Sequence, residues 1–585
     1  MTRSYVTERD AGLPSEGPAK GAVLPGLGWL ITVALAYTLS QFLFVTTHLG
    51  LGFDESVYTS QVSPHAPAAF FSAPRARGIS FLVAPVAALT YSTTALRCYL
   101  MVLSGAGLLG ALWVWRRLLS DRTLAVAGLV FVSLWITQFY GPQVMPNLWV
   151  ALGALASVGF YLRSVVTAHA GRADPDRWRM GTGNGLTGHG SLLGVMLCLA
   201  AVVQVRPPDG FWLVLPLVVA SLVVRDWRRP AVFWALAIGL IAGGAQWVVE
   251  SYMRYGGILA RLHTSGRVEG GLSWNLAFGD QLKALAGRTL CRPCTVPWRD
   301  KADSLWWLAV PVVVVLGLYV ARRAGRQAVV LVPVFCGLSM AVPYLLLINY
   351  AAPRFLLPSY ALLALPVGEC LVWLSAGAGS PRLRRAGAVL VVLALAGQLV
   401  SQNIVLTRTV ARNEQAHDDF ARIANGLREF GVTPPCLVTG TNAIPIGYAA
   451  GCASGATSGN NANTTAASIM RTARHRPVAV LVPRGHSVPV YAGSWSPHGM
   501  ATSRQLGTYT VYISPAEAEH PSGGTQSADE GATRVEEAGC ASRASLCKLR
   551  ARWRRRRAGR PAAGAAPPVA TARRWQWRTC PVSSS

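Results

Sequence analysis

Residues 52–78, GFDESVYTSQVSPHAPAAFFSAPRARG, place Asp54, Glu55, Tyr58, His65, Arg75 and Arg77 between two apolar runs. A carboxylate can take the proton of a hydroxyl that attacks an electrophilic carbon. A guanidinium forks the oxygens of a phosphate better than an ammonium does. The segment therefore brings together a proton-accepting carboxylate and guanidiniums able to hold an anion. The plain alternative is a solvated loop in which Asp54 pairs with Arg75 or Arg77 for structure alone. Two other polar features stand out from apolar surroundings, Arg206-Pro207-Pro208-Asp209 and the NYAAPRF stretch with Tyr350 and Arg354. Glu250, Tyr252 and Arg254 close a further apolar run. A lone arginine at the end of a span commonly snorkels to the interface. Several on one side, opposite an acidic pair, describe a polar cavity at a membrane surface.

Which side they share depends on the elements that carry them. The chain has 585 residues, 52% hydrophobic and 14% charged, with mean hydropathy +0.35. A soluble chain would carry roughly 25% charged residues. Apolar runs long enough to cross the hydrocarbon recur at 24–47, 95–115, 123–140, 146–166, 190–206, 210–225, 231–251, 304–321, 327–349, 355–376 and 386–406. The expected fold is a polytopic α-helical membrane protein of about 11 transmembrane helices, because lipid leaves no partner for an unpaired backbone. The first run has no small-residue cleavage site and reads as a retained anchor. Segment 79–91 is too short for a span, contains Pro85, and reads as an interfacial or re-entrant helix.

Charge then orients the spans. Arg116, Arg117 and Arg122 follow the second span, and Arg163, Arg172, Arg177 and Arg179 the fourth. Arg225, Arg228 and Arg229 follow the sixth, Arg322, Arg323 and Arg326 the eighth, and Arg382, Arg384 and Arg385 the tenth. The positive-inside rule puts these connections and the N-terminal segment 1–23 in the cytoplasm. The loop 48–94, the long loop 252–303 and everything after residue 406 then face outward. The net charge of +28 is spread over these loops and an Arg-rich tail, so it predicts no nucleic-acid partner.

Past residue 406 the pattern changes. Phe420, Ile423, Ala424, Leu427 and Phe430 share one helical face, and CLVTG, VAVLVP and YTVYIS read as strands. Alternation of strands and helices predicts a small extracytoplasmic α/β domain at 412–514. The tail 515–585 lacks core-forming residues and reads as disordered. Its Arg-rich part could bind anionic lipid or a wall polymer, or be out-of-frame sequence. Cys291 and Cys294 could pair in an oxidising space; a lone CxxC gives little ground for zinc. No cofactor motif is present, and a divalent metal is left open.

The FDESVY motif after the first span, the amphipathic loop and the short interfacial helix resemble the polyprenyl-phosphate-sugar-dependent glycosyltransferases of the GT-C fold. Within that fold, the protein O-mannosyltransferase and lipid A aminoarabinose transferase group is the nearest. YAAPRFLLPSYALLALP, at 350–366, resembles a late span of the same group. The resemblance covers roughly 24–406 as architecture. It implies that Asp54 takes the place of the catalytic acid, with Glu55 beside it. The donor would be a polyprenyl-phosphate sugar in the membrane lipid, and the acceptor a glycan, lipid or protein. Tyr58, His65, Arg75, Arg77, Arg206, Asp209, Tyr350 and Arg354 are the candidate substrate-binding residues. The chain departs from the group in having no lysine in this loop and no β-trefoil repeats. The competing reading is a transporter or flippase for a lipid-linked or anionic substrate, which needs mid-span charges and internal symmetry that the sequence lacks.

Overall fold

The computed structural model describes residues 25–173 and 186–515, apart from 272, 293, 296, 299, 377–379, 460 and 504–505. The N-terminal segment 1–23, Arg177 and Arg179, and the tail from 516 onward lie outside the described residues.

Among the described residues, nine helices are long and apolar enough to cross a membrane, from Gly26–Thr46 to Pro381–Glu429. Two expected spans differ. The sixth is the 17-residue helix Pro207–Val223. The third is broken into Asp121–Ser133 and Trp135–Tyr140, because Leu134 is extended with ψ 129°. Side chains satisfy the backbone groups freed at this break: Trp135 N–H donates to Gln402 Oε1 at 3.0 Å, and Gln138 Nε2 donates to the Val132 carbonyl at 2.8 Å. Such repair is required wherever a helix breaks in lipid. The helices begin where the sequence supplies caps. Ser92, Ser120 and Ser380 accept from the first turn, and proline opens the helices at 207, 230 and 381.

Segment 79–91 yields the ten-residue helix Gly78–Ala87. At its start a Cβ on Gly78 would lie 2.5 Å from the Gln204 carbonyl. Glycine thus lets the 70–78 segment press against the end of the Leu186–Val205 helix, beside Arg206.

The last span does not stop at the membrane. Pro381–Glu429 is a single 49-residue helix, where separate membrane and soluble helices were expected. Its far end presents Ile423, Ala424 and Leu427 to a five-stranded sheet: β1 (Leu437–Gly440), β2 (Ala453–Gly455), β3 (Val478–Pro483), β4 (Ser496–Met500) and β5 (Tyr509–Ile513). The strand order is β2-β1-β3-β5-β4, with β1 parallel to β2 and β3, and β5 antiparallel to β3 and β4. β2 and β4 have too little apolar character to be read from sequence. The sheet region and the helical body belong to one compact unit. Ile444, in the Ala443–Ala450 helix, joins the apolar cluster of Val57, Tyr58, Phe71 and Ile79.

Candidate functional site

Asp54 and Glu55 open the helix Phe53–Ser60, where carboxylates suit the positive end of the helix dipole. Their side chains then part. Glu55 reaches back to accept the Gly52 N–H at 3.0 Å and also accepts the Val144 N–H at 2.8 Å. Both of its oxygens meet the guanidinium of Arg97, which is fully buried and also donates to the Leu49 and Pro142 carbonyls. Glu55 was expected beside the reacting groups; instead it staples this helix to the Thr93–Trp115 span and to the 140–147 connection. An ion pair this enclosed leaves no lone pair for a substrate.

Asp54 points the other way, into a cavity of about 610 Å³. Its Oδ1 accepts from Arg75 Nη2 at 2.7 Å and its Oδ2 lies 3.5 Å from Arg354 Nη2. Burial pushes the carboxyl up, but Arg75, Arg354 and Arg206 outweigh it and hold it below the ordinary carboxylate value. The side chain is 35% exposed, to the cavity. Tyr58 lines the same wall, and burial pushes its hydroxyl up to about 12, so it stays a proton donor.

Each arginine is held from behind. Arg75 Nη1 donates to Asn461 Oδ1 at 2.7 Å and also contacts Ser72 Oγ. Arg354 donates to the Thr289 carbonyl at 3.0 Å and lies 5.1 Å from the Phe355 ring centroid. Arg206 sits over the rings of Phe355 and Tyr344, 4.6 and 5.2 Å from their centroids, with Asp209 behind its Nε at 3.4 Å. Its Nη groups make no hydrogen bond among the described residues. Three planar guanidiniums turned toward one cavity suit an anion rich in oxygen atoms.

Four expected site residues lie off the cavity wall. Asp209 holds Arg206 and accepts from the Tyr344 hydroxyl. Arg77 pairs with Glu250 at 2.7 Å and covers the Phe71 ring. His65 stacks on Tyr91 and meets Tyr448 edge-on. Glu55 is the fourth. Tyr350 is on the wall, donating to the Glu269 carboxylate beneath Arg292.

Glu269, Arg292, Asn147 and Asn461 line the cavity without having been read from sequence. Glu269 ends the helix Ile258–Glu269 of the long loop, which stops because Gly270 and Gly271 adopt φ of 96° and 84°. Arg261, fully buried, donates to the Ala73 and Arg75 carbonyls at 3.1 and 2.8 Å and so fixes the segment that carries Arg75. A fully buried arginine in a glycine-rich loop has no sequence signature. The same end of the bundle carries two disulfides, Cys291–Cys294 and Cys436–Cys452, the second unforeseen.

Among the described residues no three His, Cys, Asp or Glu side chains assemble as metal ligands. Both Asp54 oxygens meet guanidiniums, so the donor set around it does not fit a divalent cation.

No protein-family model matches the sequence, and no curated protein does. Solved structures do match by shape. ArnT from Cupriavidus metallidurans bound to undecaprenyl phosphate superposes with a TM-score of 0.59 at 13% identity, over 84% of this chain and 98% of that one. Its apo state gives 0.56 over the same shares. The apo oligosaccharyltransferase of Archaeoglobus fulgidus reaches 0.49 at 11% identity, over 79% and 70%. The chain has the GT-C fold. The match of this GT-C chain to ArnT spans nearly all of that protein.

Proposed function

We propose that this GT-C chain is an integral membrane glycosyltransferase that moves a hexose or pentose from a polyprenyl-phosphate donor to an extracytoplasmic acceptor. The observation that carries the reading is the convergence of Arg75, Arg206 and Arg354 on Asp54 in one cavity. ArnT, whose structure holds undecaprenyl phosphate, supplies the donor class. The arginine-rich connections at the opposite ends of the spans, and the two disulfides at this end, support an outward-facing cavity.

The donor phosphate enters among the three arginines, which neutralise charge as the leaving group separates. It takes Arg75 and Arg354 away from Asp54. Burial then raises the proton affinity of the carboxylate, which becomes a competent base. Asp54 accepts the hydroxyl proton of a glycan, lipid or protein acceptor, the acceptor oxygen bonds to the anomeric carbon, and the bond to the phosphate oxygen breaks. Polyprenyl phosphate leaves, and one direct displacement inverts the anomeric centre. The test is consumption of radiolabelled polyprenyl-phosphate sugars by the reconstituted protein. Wild type should consume at least one donor; equal consumption by Asp54→Asn would overturn the reading.

A further inference from the structure

We infer that Asn461, in the loop after β2, is the positioning residue that keeps Arg75 ready for the donor phosphate, so that the sheet region completes the donor site. The inference rests on the polyprenyl-phosphate reading and adds to it a requirement for a region 386 positions away in the chain.

Asn461 is 4% exposed, and both ends of its amide are used. Oδ1 accepts from Arg75 Nη1 at 2.7 Å, and Nδ2 donates to the Phe70 carbonyl at 3.1 Å. One side chain thus grips both the guanidinium and the backbone of the segment that carries it. Arg75 uses Nη2 for Asp54 and Nη1 for Asn461 and Ser72. A phosphate that displaces Asp54 takes over Nη2. Arg75 is then held in plane from Nη1 alone. Ser72 lies on the same segment as Arg75 and moves with it, whereas Asn461 comes from a separately packed element. Its neighbours Ala456, Ser458 and Gly459 line the same cavity. A hydrogen bond to a charged group, enclosed from solvent, is among the stronger single contacts a protein makes. Holding the fork before the ligand arrives removes the entropy of ordering it on binding.

The test uses the full-length protein in nanodiscs with undecaprenyl phosphate as the probe. Asn461→Ala should weaken binding about tenfold. In an Arg75→Ala background the same change should shift Kd by less than about twofold, because the group it positions is gone. An equal loss in both backgrounds marks a general defect of the fold and overturns the inference, as does no loss in wild type. Hydrogen exchange in segment 70–78, without lipid, is the second measurement. Faster exchange in Asn461→Ala is expected, and unchanged exchange overturns the positioning role. Should wild type bind no undecaprenyl phosphate, the donor reading fails, and the exchange result still decides whether Asn461 holds the Arg75 segment.

Discussion

Replacing Asp54 with asparagine should abolish turnover and yet tighten binding of the bare lipid phosphate. In the resting protein Asp54 holds the Arg75 edge at 2.7 Å and stands 3.5 Å from Arg354, so it occupies groups the phosphate needs. A hydrogen bond between charged partners is worth about 1.5–3 kcal/mol. The carboxylate is 35% exposed, and screening trims the pair to about 1–2 kcal/mol. The 3.5 Å contact with Arg354 adds little. Donor binding must break this pairing, and asparagine, being neutral, removes most of that penalty. The expected gain is roughly 5- to 30-fold in the affinity for undecaprenyl phosphate. Loss of the base should lower turnover by about 10²–10⁴-fold. Kd is read by titration of the protein in nanodiscs at neutral pH, and turnover with the labelled donor that wild type consumes. A variant that binds the lipid phosphate more weakly than wild type would refute the competition argument. One that keeps its turnover would refute the base.

The same competition has a pH signature. Asp54 lies below the ordinary carboxylate value while the guanidiniums face it and rises once the phosphate neutralises them, so binding under mildly acid conditions should draw in protons. Calorimetry in buffers of different ionisation enthalpy should show more uptake by wild type than by Asp54→Asn, and equal uptake would refute the link. Glu55→Gln leaves Arg97 buried without its counter-charge and should destabilise the fold by about 3–5 kcal/mol in thermal unfolding. The protein that remains folded should bind undecaprenyl phosphate within about twofold of wild type. Arg354→Lys forfeits the planar fork and should weaken that binding about tenfold, whereas His65→Ala, off the cavity wall, should leave it unchanged. Removing the Cys436–Cys452 bridge, with a sequence separation of 16, should destabilise the sheet region by about 3 kcal/mol. Both cysteines are buried, so in denatured protein maleimide should label them only after reduction.

The spans were legible because hydrocarbon imposes one rule along the whole chain: twenty or so apolar residues, helical, with arginine after alternate members. The helix face of Ile423, Ala424 and Leu427, and strands β1, β3 and β5, followed from local periodicity. β2 and β4 did not, because ASG and SPHGM hold their places through ladder bonds to neighbours and not through apolar content. The break at Leu134 was equally silent, since Gln402, which repairs it, comes from the last span. Arg97 was not read from the sequence at all, because nothing local to it says that a buried partner, Glu55, waits 42 positions earlier.

By itself the sequence determined that this chain crosses the membrane repeatedly, which residues have the chemistry for phosphate and proton transfer, and that Asp54, Arg75, Arg206 and Arg354 belong on one side. Span length, charge and residue type are local properties and can be read in order. Only the tertiary structure decided that Asp54 faces the cavity while its neighbour Glu55 is buried, that Arg77 and Asp209 serve as braces, and that Asn461 and Glu269 join the wall. The direction of a side chain in a helix changes by about 100° per residue. Adjacent carboxylates therefore part company, and which of them meets substrate depends on what distant helices bring to either face.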